Sequence, residues 1–495
     1  MRNLTRRSLL LATGAAAGWY GSNLFRADLP VLDGTKRLTD TTPPGMLNDA
    51  SGLSATPINR HITLNQPPDD SLIAALRAEM ASARTEGRAF NIGAARHSMG
   101  GQAIPRDGIA VTFDNGLIEP DSVAMTYRAH AGARWSQVIA ALDPLGFSPK
   151  VMQSNNDFGT AATFSVNAHG WPVPFGPMGS TVRSARMILP SGDLITASRT
   201  ENPEIFNLAM GGYGLIGAIV DLQIEMVPNT RLIPAFQVLP AEAFATAFRK
   251  AVDDPAVTMA YGRLNVERET FFRHALLITY REDADQAGLP PAAGSGVMAH
   301  LASRVYRAQL GNEAMKSFRW WNETVVGPKL GGGPATRNSL INEPVVTLDD
   351  RNPNRTDILH EYFVDFDRFG DFLTACRAVI PDSYQEFLNV TLRFVAPDPD
   401  SVLAYAPTPR IAAVMSFSQE LTVRAEDDMA RMTRNLIDRV TEIGGAYYLP
   451  YRPHARLDQL TAAYPRAAEF AQAKRLLDPG LTLRNNLWDS YLGMI

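Results

Sequence analysis

The stretch Phe90–Ala103, FNIGAARHSMGGQA, constrains the fold of this chain more than any other. Its apolar start predicts a short strand, and the small residues Gly93–Ala95 follow at once. Small residues after a strand let successive backbone N–H groups point inward and form an anion-binding nest, which suits a diphosphate. Arg96 adds a positive charge and Ser98 a hydroxyl donor. The stretch therefore predicts a strand followed by a phosphate-binding loop with His97 at its tip.

A second stretch, Gln153–Pro174, reads QSNNDFGTAATFSVNAHGWPVP and contains little side-chain bulk. Such a segment can pass close to a flat ring. Its threonine and serine hydroxyls remain as donors for ring oxygens and nitrogens.

A third stretch, Gly212–Gly217, has the spacing G-x-G-x-x-G. The dinucleotide fingerprint of Rossmann folds requires a strand before this motif and a helix after it. Here a predicted helix from Asn202 to about Met210 precedes it, and the alternating run Ala218–Val227 predicts a strand behind it. We therefore expect no nicotinamide cofactor at this turn.

Together these stretches resemble the FAD-linked oxidases of the vanillyl-alcohol-oxidase type, which have a PCMH-type FAD-binding domain. The HS-x-x-GQA pattern is similar to the loop of cytokinin dehydrogenases, and RHS to that of alditol and aldonolactone oxidases. The resemblance implies FAD, bound covalently at His97 through the flavin 8α-methyl group. Without the resemblance, a polar loop histidine that caps a turn explains His97 equally well. The resemblance assigns cofactor contacts to Gly93, Ala94, Ala95, Arg96, His97, Ser98, Gln102, Gly159, Thr160, Thr163, Ser165, His169, Gly170, Ile219 and Asn486.

The middle of the chain resembles the sugar-oxidising branch in three patches. His360–Val364 is similar to its E-Y-x-x-P strand entry. Thr391–Arg393 takes the place of a Glu-x-Arg pair, with the glutamate replaced, and Arg452–His454 is similar to RPHW(G/A)K but lacks the tryptophan and lysine. The resemblance implies that Arg393 stabilises reduced flavin or holds substrate hydroxyls, and that His454 is the base.

Each of these two residues also has a purely structural explanation. Arg393 fits an ion-pair partner on a strand, and His454 fits a loop histidine. The proton-accepting aspartate of cytokinin dehydrogenases has no counterpart in register, although Asp157 lies nearby.

Length, net charge and cysteine content limit the kinds of ligand and partner that this chain is expected to bind. A chain of 495 residues is too long for one compact core. Its net charge of −4, with no basic tract, argues against nucleic acid. The single cysteine, Cys376, excludes an intramolecular disulfide, and the eight histidines lack metal-ligand spacing, so we expect no metal site.

Hydrophobic periodicity predicts an α+β protein of two lobes. The resemblance implies that these lobes are a PCMH-type FAD-binding domain and an α+β substrate-covering domain. We place the FAD domain at 56–230, the substrate domain at 231–442, and a segment returning to the FAD lobe at 443–495. A helix is expected after Asp69 up to Gly87, a hairpin at Met187–Thr196, and loops at Pro290–Val297 and Gly327–Arg337.

The N-terminus is expected to be an export signal. Arg6 and Arg7 precede a short apolar run, which is typical of a twin-arginine leader, here residues 1–27, followed by a linker at 28–55. A basic N-terminus of a cytoplasmic protein is the alternative. The twin-arginine interpretation implies the Tat machinery as a partner and a periplasmic or secreted location.

The expected reaction is hydride transfer from a CH–OH group of a sugar, polyol or aldonolactone to flavin N5, with oxygen, a quinone or a cytochrome as electron acceptor. Oxidation of a C–N bond, as in cytokinin dehydrogenases, is an open alternative. A flavin-binding envelope protein without turnover is a second one.

Overall fold

The computed structural model describes residues 36–38, 41–114, 116–292, 303–330, 333–344, 352 and 354–495. The described helices are α1 Asp70–Glu86, α2 Trp135–Leu142, α3 Thr160–Ser165, α4 Pro203–Ala209, α5 Phe244–Val252, α6 Glu313–Trp321, α7 Gly327–Leu330, α8 Arg337–Ile341, α9 Phe369–Val379, α10 Val423–Glu442, α11 Leu457–Ala463, α12 Ala467–Leu477 and α13 Asn486–Ser490. The described strands are β1 Met46–Leu47, β2 Thr56–Pro57, β3 Arg60–Leu64, β4 Phe90–Ile92, β5 Ile109–Phe113, β6 Ile118–Asp121, β7 Thr126–His130, β8 Phe147–Pro149, β9 Val182–Ile188, β10 Leu194–Ser198, β11 Ala218–Pro228, β12 Arg231–Pro240, β13 Val257–Leu264, β14 His274–Glu282, β15 Ala335–Thr336, β16 Arg355–Asp365, β17 Glu386–Val395, β18 Arg410–Glu420 and β19 Ala446–Tyr447. This mixture confirms the α+β class.

A small parallel sheet, with strand order β3-β5-β4, opens the first lobe, and α1 packs on it. The helix begins where the Asp69 carboxylate accepts the Ser71 N–H at 2.8 Å. It ends at Gly87, whose φ of 64° is left-handed and suits glycine. The predicted helix and both its ends are confirmed, because its caps and its buried stripe are local in sequence.

An antiparallel sheet completes the lobe, with strand order β10-β9-β11-β7-β6 and β8 paired to β11. The predicted hairpin is present as β9 and β10, in which Ile188 pairs with Leu194. The G-x-G-x-x-G turn lies between α4 and β11. A helix before the turn and a strand after it confirm the predicted secondary structure and the rejection of a Rossmann turn.

The second lobe is built on an antiparallel sheet of eight described strands in the order β15-β12-β14-β13-β17-β18-β16-β19. Helices α5, α9 and α10 cover one face with a core rich in phenylalanine. Side chains alternate across each strand, so residues two apart share a face. On β17 the buried Leu392 alternates with Arg393, whose pair on β13 is Tyr261. This alternation turns Arg393 away from the helices.

The C-terminal segment crosses back from the second lobe to the first. Its strand β19 pairs with β16, where Tyr447 lies opposite Tyr362. Further on, Phe90 of β4 donates its N–H to the Thr482 carbonyl at 2.6 Å. The segment thereby fastens the second lobe to the strand that precedes the phosphate loop.

The predicted linker contacts both lobes: residues 36–38 hydrogen-bond to Leu421 and Val423 of the second lobe, and the part near β1 is folded onto the first. Strand β1 pairs with β2, and the Asp49 carboxylate accepts the Gly101 N–H at 2.7 Å. These residues therefore brace the end of the phosphate loop.

One loop prediction was wrong. Gly327–Arg337 contains α7, β15 and the start of α8. Strand β15 pairs with β12, and Thr336 caps α8 by accepting the Ser339 N–H. The glycines in this stretch favoured a loop and gave no signal of either contact. Most of Pro290–Val297, and all of the predicted export signal at 1–27, lie outside the described residues. None of the helices in the described part is long and apolar enough to cross a membrane.

Candidate active site

A deep cleft lies between the two lobes. Its walls come from the phosphate loop, the stretch Gln153–Pro174, the turn before β11, the face of the eight-stranded sheet turned away from the helices, and the C-terminal segment. The predicted site residues that line it are Gly93, Ala94, Ala95, Arg96, His97, Ser98, Gln102, Gly159, Thr163, Ser165, His169, Ile219 and Arg393. The two lobes thus share one site.

The phosphate loop follows β4 as predicted. Several buried polar atoms in and beside it have no hydrogen-bond partner among the described residues. Arg96 has a left-handed φ of 52° and folds over Gly93, where a Cβ atom would lie only 2.8 Å from the Arg96 Nε. The other end of the guanidinium donates to the Thr112 hydroxyl at 3.0 Å. Among the described residues, the buried Arg96 Nε, Ser98 Oγ and both side-chain polar atoms of Asn91 have no hydrogen-bond partner.

Buried polar atoms without partners are costly, so such a group indicates a ligand that supplies donors and acceptors. The cationic Arg96 and the loop's small residues fit a diphosphate, and the Asn91 amide can both donate and accept. The cleft therefore fits a dinucleotide cofactor by its own chemistry.

His97 lies on the cleft wall and is held from two sides. Its ring packs against Phe158 with the centroids 4.3 Å apart. Its Nε2 lies 3.6 Å from the Asp157 carboxylate. Burial lowers the pKa of His97, the Asp157 charge raises it, and Arg134 lowers it further. The net lowering keeps the imidazole neutral at neutral pH.

Gly159 brings the second stretch against the phosphate loop. A Cβ atom there would lie 2.8 Å from the Ala94 Cβ, so any side chain would push the loop away. Thr163 and Ser165 of α3 line the cleft, but their hydroxyls donate within the helix, Thr163 to the Gly159 carbonyl at 2.9 Å and Ser165 to the Ala161 carbonyl at 2.8 Å. A helical threonine or serine often bonds to the carbonyl four residues earlier.

Three predicted cofactor contacts do not line the cleft. The Thr160 hydroxyl bonds to the Ala133 carbonyl at 3.2 Å, and Gly170 packs against the Met152 carbonyl. Asn486 donates to the Thr56 hydroxyl at 2.8 Å and lies against Gly101. These residues support the walls of the cleft from behind.

The opposite wall carries a cluster of charged and polar groups. The buried Glu361 carboxylate bonds to His169 Nε2 through one oxygen, and accepts the Tyr451 hydroxyl at 3.2 Å through the other. The His169 Nδ1 lies 3.2 Å from the Gly170 carbonyl, so both ring nitrogens have a partner. Burial and the Glu361 charge raise the pKa of Tyr451 well above its usual value, which keeps the phenol protonated.

Arg393 lies on the same sheet face, and its side chain makes no hydrogen bond with the described residues; its buried Nε is unpartnered. Burial lowers its pKa, and Glu361 raises it. A guanidinium stays charged in either environment. The cleft wall therefore combines a cation without a hydrogen-bond partner and a carboxylate held by two neighbours.

His454, the predicted base, is placed elsewhere. Its ring lies between the Glu426 carboxylate, 2.8 Å from Nε2, and the Thr433 hydroxyl, 3.2 Å from Nδ1, and it does not line the cleft. Burial lowers its pKa, while Glu426 raises it. Both partners belong to α10, on the far side of the sheet, so this position does not fit a base that reaches a ligand in the cleft.

Sequence reasoning missed Glu361, Tyr451 and Asn91. Glu361 stood in the quoted E-Y patch, and Tyr451 directly precedes the quoted Arg452–His454. Both residues could have been noticed because they lie in or beside family-like motifs. Their contact could not be predicted, because it depends on the pairing of β16 with β18 and β19.

Comparisons with known proteins agree with this geometry. A family model described as FAD binding domain matches residues 72–198. Cytokinin dehydrogenase 8 of Oryza sativa subsp. indica is 28% identical over 235 residues, 43% of this chain and 43% of that protein. L-galactono-1,4-lactone dehydrogenase 1, mitochondrial, of Oryza sativa subsp. japonica is 28% identical over 191 residues, 38% of this chain and 32% of that protein. The Arabidopsis thaliana L-galactono-1,4-lactone dehydrogenase is 24% identical over 191 residues, 38% and 31% of the two chains.

The matches thus span less than half the length of these relatives. The matched region contains the phosphate loop and the stretch Gln153–Pro174, which form one side of the cleft. The chain therefore carries an FAD binding domain of the PCMH type, and it is similar in sequence to cytokinin dehydrogenases and to aldonolactone dehydrogenases.

Proposed function

We propose that this protein is an FAD-dependent oxidoreductase that removes a hydride from a CH–OH group of a small polar substrate of the sugar, polyol or aldonolactone type. The observation that carries the proposal is the Glu361 carboxylate, held by His169 and Tyr451 on the same cleft wall as Arg393. The similarity to lactone dehydrogenases supports the substrate class.

The phosphate loop would hold the diphosphate of FAD, and His97 would carry the flavin covalently. When bound, FAD supplies a ring that accepts a hydride. The neutral His97 imidazole supports covalent attachment, because a nucleophile needs a free lone pair.

Arg393 acts on the substrate oxygen. Its free N–H groups donate to the oxygen beside the reacting C–H and stabilise the negative charge that grows there as the hydroxyl proton leaves. Fixed charges in a site shielded from water are well suited to this work. Glu361 accepts the hydroxyl proton, while His169 and Tyr451 hold its carboxyl group in place.

Oxidation of a C–N bond is the second candidate, favoured by the similarity to a cytokinin dehydrogenase. The described carboxylate nearest in sequence to that family's proton acceptor is Asp157, which lies against His97 and does not line the cleft. The position of Glu361 beside Arg393 therefore favours the CH–OH substrate.

The test is an anaerobic screen in which flavin absorbance is followed after adding polyols, aldonolactones or secondary amines. Rapid bleaching by a polyol or lactone, with amines inert, supports the proposal. Bleaching by amines alone supports the C–N candidate, and no bleaching by either panel supports a flavin-binding protein without turnover. Reoxidation by oxygen, a quinone or a cytochrome then identifies the electron acceptor.

Export by the twin-arginine route to the periplasm is a separate part of the proposal. It is supported by Arg6 and Arg7 before a short apolar run. Replacing both by lysine should leave the flavin-loaded protein in the cytoplasm. Normal amounts of the variant in the periplasm would refute this route.

A further inference from the structure

We infer that Asp157 is the residue that prepares His97 for its bond to the flavin, by holding the proton on Nε2 and taking it when the bond forms. This inference rests on the proposed attachment of FAD at His97. It assigns a role to a residue behind the cleft wall, where the Asp157 side chain is 24% exposed and that of His97 21%.

The geometry sets the tautomer of the imidazole. With Nε2 facing the carboxylate at 3.6 Å, the proton of the neutral ring is favoured on Nε2. Nδ1 is then the nitrogen with a free lone pair. Phe158 packs on the ring and limits its rotation. Asp157 does not line the cleft, so it approaches His97 from behind while the ring itself lines the cleft.

The chain around Asp157 is held by backbone hydrogen bonds within the protein. The neighbouring carbonyls of Asn156 and Phe158 accept the N–H groups of Ser136 and Trp135 at 2.7 and 3.0 Å. The Arg134 side chain donates to the Asp157 carbonyl at 2.8 Å. These bonds anchor the backbone on both sides of Asp157 to the start of α2, which places its side chain beside His97.

The reaction balances with dioxygen as oxidant. One C–H bond of the flavin methyl group and the imidazole N–H bond break, and a bond forms between His97 Nδ1 and the methyl carbon. Dioxygen takes the two electrons released, together with two protons, to form hydrogen peroxide. The Nε2 proton leaves through Asp157, which prevents the alkylated ring from remaining a cation in a half-buried site.

The experiment measures covalent attachment directly. Apoprotein from cells grown on limiting riboflavin is mixed with FAD in air, and acid-stable flavin is followed over time together with total bound flavin. Asp157→Asn should slow attachment by about 100-fold, a modest loss for a general base, while total bound flavin is retained. Glu201→Gln, which removes an exposed carboxylate from the same lobe, is the matched control and should attach at the wild-type rate.

Chemical rescue separates this role from a structural one. Formate added to Asp157→Ala should restore much of the attachment rate, because a free carboxylate can replace the missing one. Failure of formate to do so, or a wild-type rate in Asp157→Asn, overturns the inference. Complete release of wild-type flavin by acid also overturns it, whereas substrate bleaching of that flavin would leave the proposed oxidoreductase standing.

Discussion

Replacing Arg393 by methionine should separate catalysis from stability. Methionine keeps much of the side-chain volume but removes the guanidinium, which has no hydrogen-bond partner among the described residues. Without substrate, the substitution removes no side-chain hydrogen bond to a described residue. It also removes a cation that burial has desolvated, which is costly to keep in the folded state. We therefore expect a melting temperature that is unchanged or raised, as is common when a residue serves function at the expense of stability.

Catalysis should respond in the opposite direction. Loss of one preorganised donor to a developing oxyanion costs roughly 2.7–4 kcal/mol, or about 100- to 1000-fold in rate. Arg393→Lys should recover only part of the rate, because an ammonium group lacks the planar fork of the guanidinium. The proposed partner of that fork is the substrate oxygen, so the loss should appear in the reduction step.

The assay is anaerobic stopped-flow reduction of the bound flavin, normalised to flavin content. Arg410→Met is a matched control on the same sheet, since Arg410 contacts Asp365 and donates to the Gly444 carbonyl at 2.8 Å outside the cleft. It should lower the melting temperature and leave the reduction rate per flavin intact. An Arg393→Met protein with a lower melting temperature and a normal reduction rate would show that Arg393 is structural and refute the reasoning.

Three further predictions concern the cleft and the core behind it. Glu361→Gln should slow flavin reduction by about 100-fold or more without changing flavin content, because the amide keeps the shape but accepts no proton; equal rates would remove Glu361 from the mechanism. Gly159→Ala should weaken FAD binding by about tenfold or more in fluorescence titrations with His97→Ala protein, since the new Cβ would crowd Ala94 and overpacking typically costs 1–3 kcal/mol; unchanged affinity would show that the loop yields freely. Burial and the charge of His454 lower the pKa of His360 from 6.5 to about 3. As the pH falls, the unfolded chain therefore binds a proton at this residue before the folded protein does. The free energy of unfolding should fall by up to about 1.4 kcal/mol per pH unit as the pH drops from 6.5 towards 3. Urea unfolding across that window should show a shallower decline in His360→Gln, and parallel declines would contradict the assignment.

Local features of the fold were predictable from the sequence, and contacts between distant segments were not. Helix α1 has its N-cap at Asp69, its buried stripe and its terminal Gly87 within one short stretch, so both ends could be predicted. The meeting of Glu361 with His169 joins residues 192 apart in sequence, and depends on how the eight-stranded sheet docks on the first lobe.

The same distinction explains why individual side chains have other partners than expected. His454 was chosen as base because it is a histidine in a family-like motif, but α10 draws it to Glu426 on the far side of the sheet. The hydroxyls of Thr163 and Ser165 were expected to face the ligand, yet their segment forms a helix that offers nearer acceptors. Residue type therefore indicated which chemistry a side chain can perform, but not which neighbours the fold would give it.

The course of the C-terminal segment has a consequence for biosynthesis. Gln102 of the phosphate loop donates to the Leu449 and Tyr451 carbonyls at 2.7 and 2.9 Å, and β4 is bonded to Thr482 at 2.6 Å. When the ribosome has translated residues 72–198, the matched FAD domain is complete in sequence. The nascent chain cannot yet close the cleft, because the C-terminal residues that bond to the phosphate loop and to β4 are still missing. Cofactor loading must wait until residues beyond Thr482 have left the exit tunnel, so nascent chains that stall earlier should emerge without tightly held flavin.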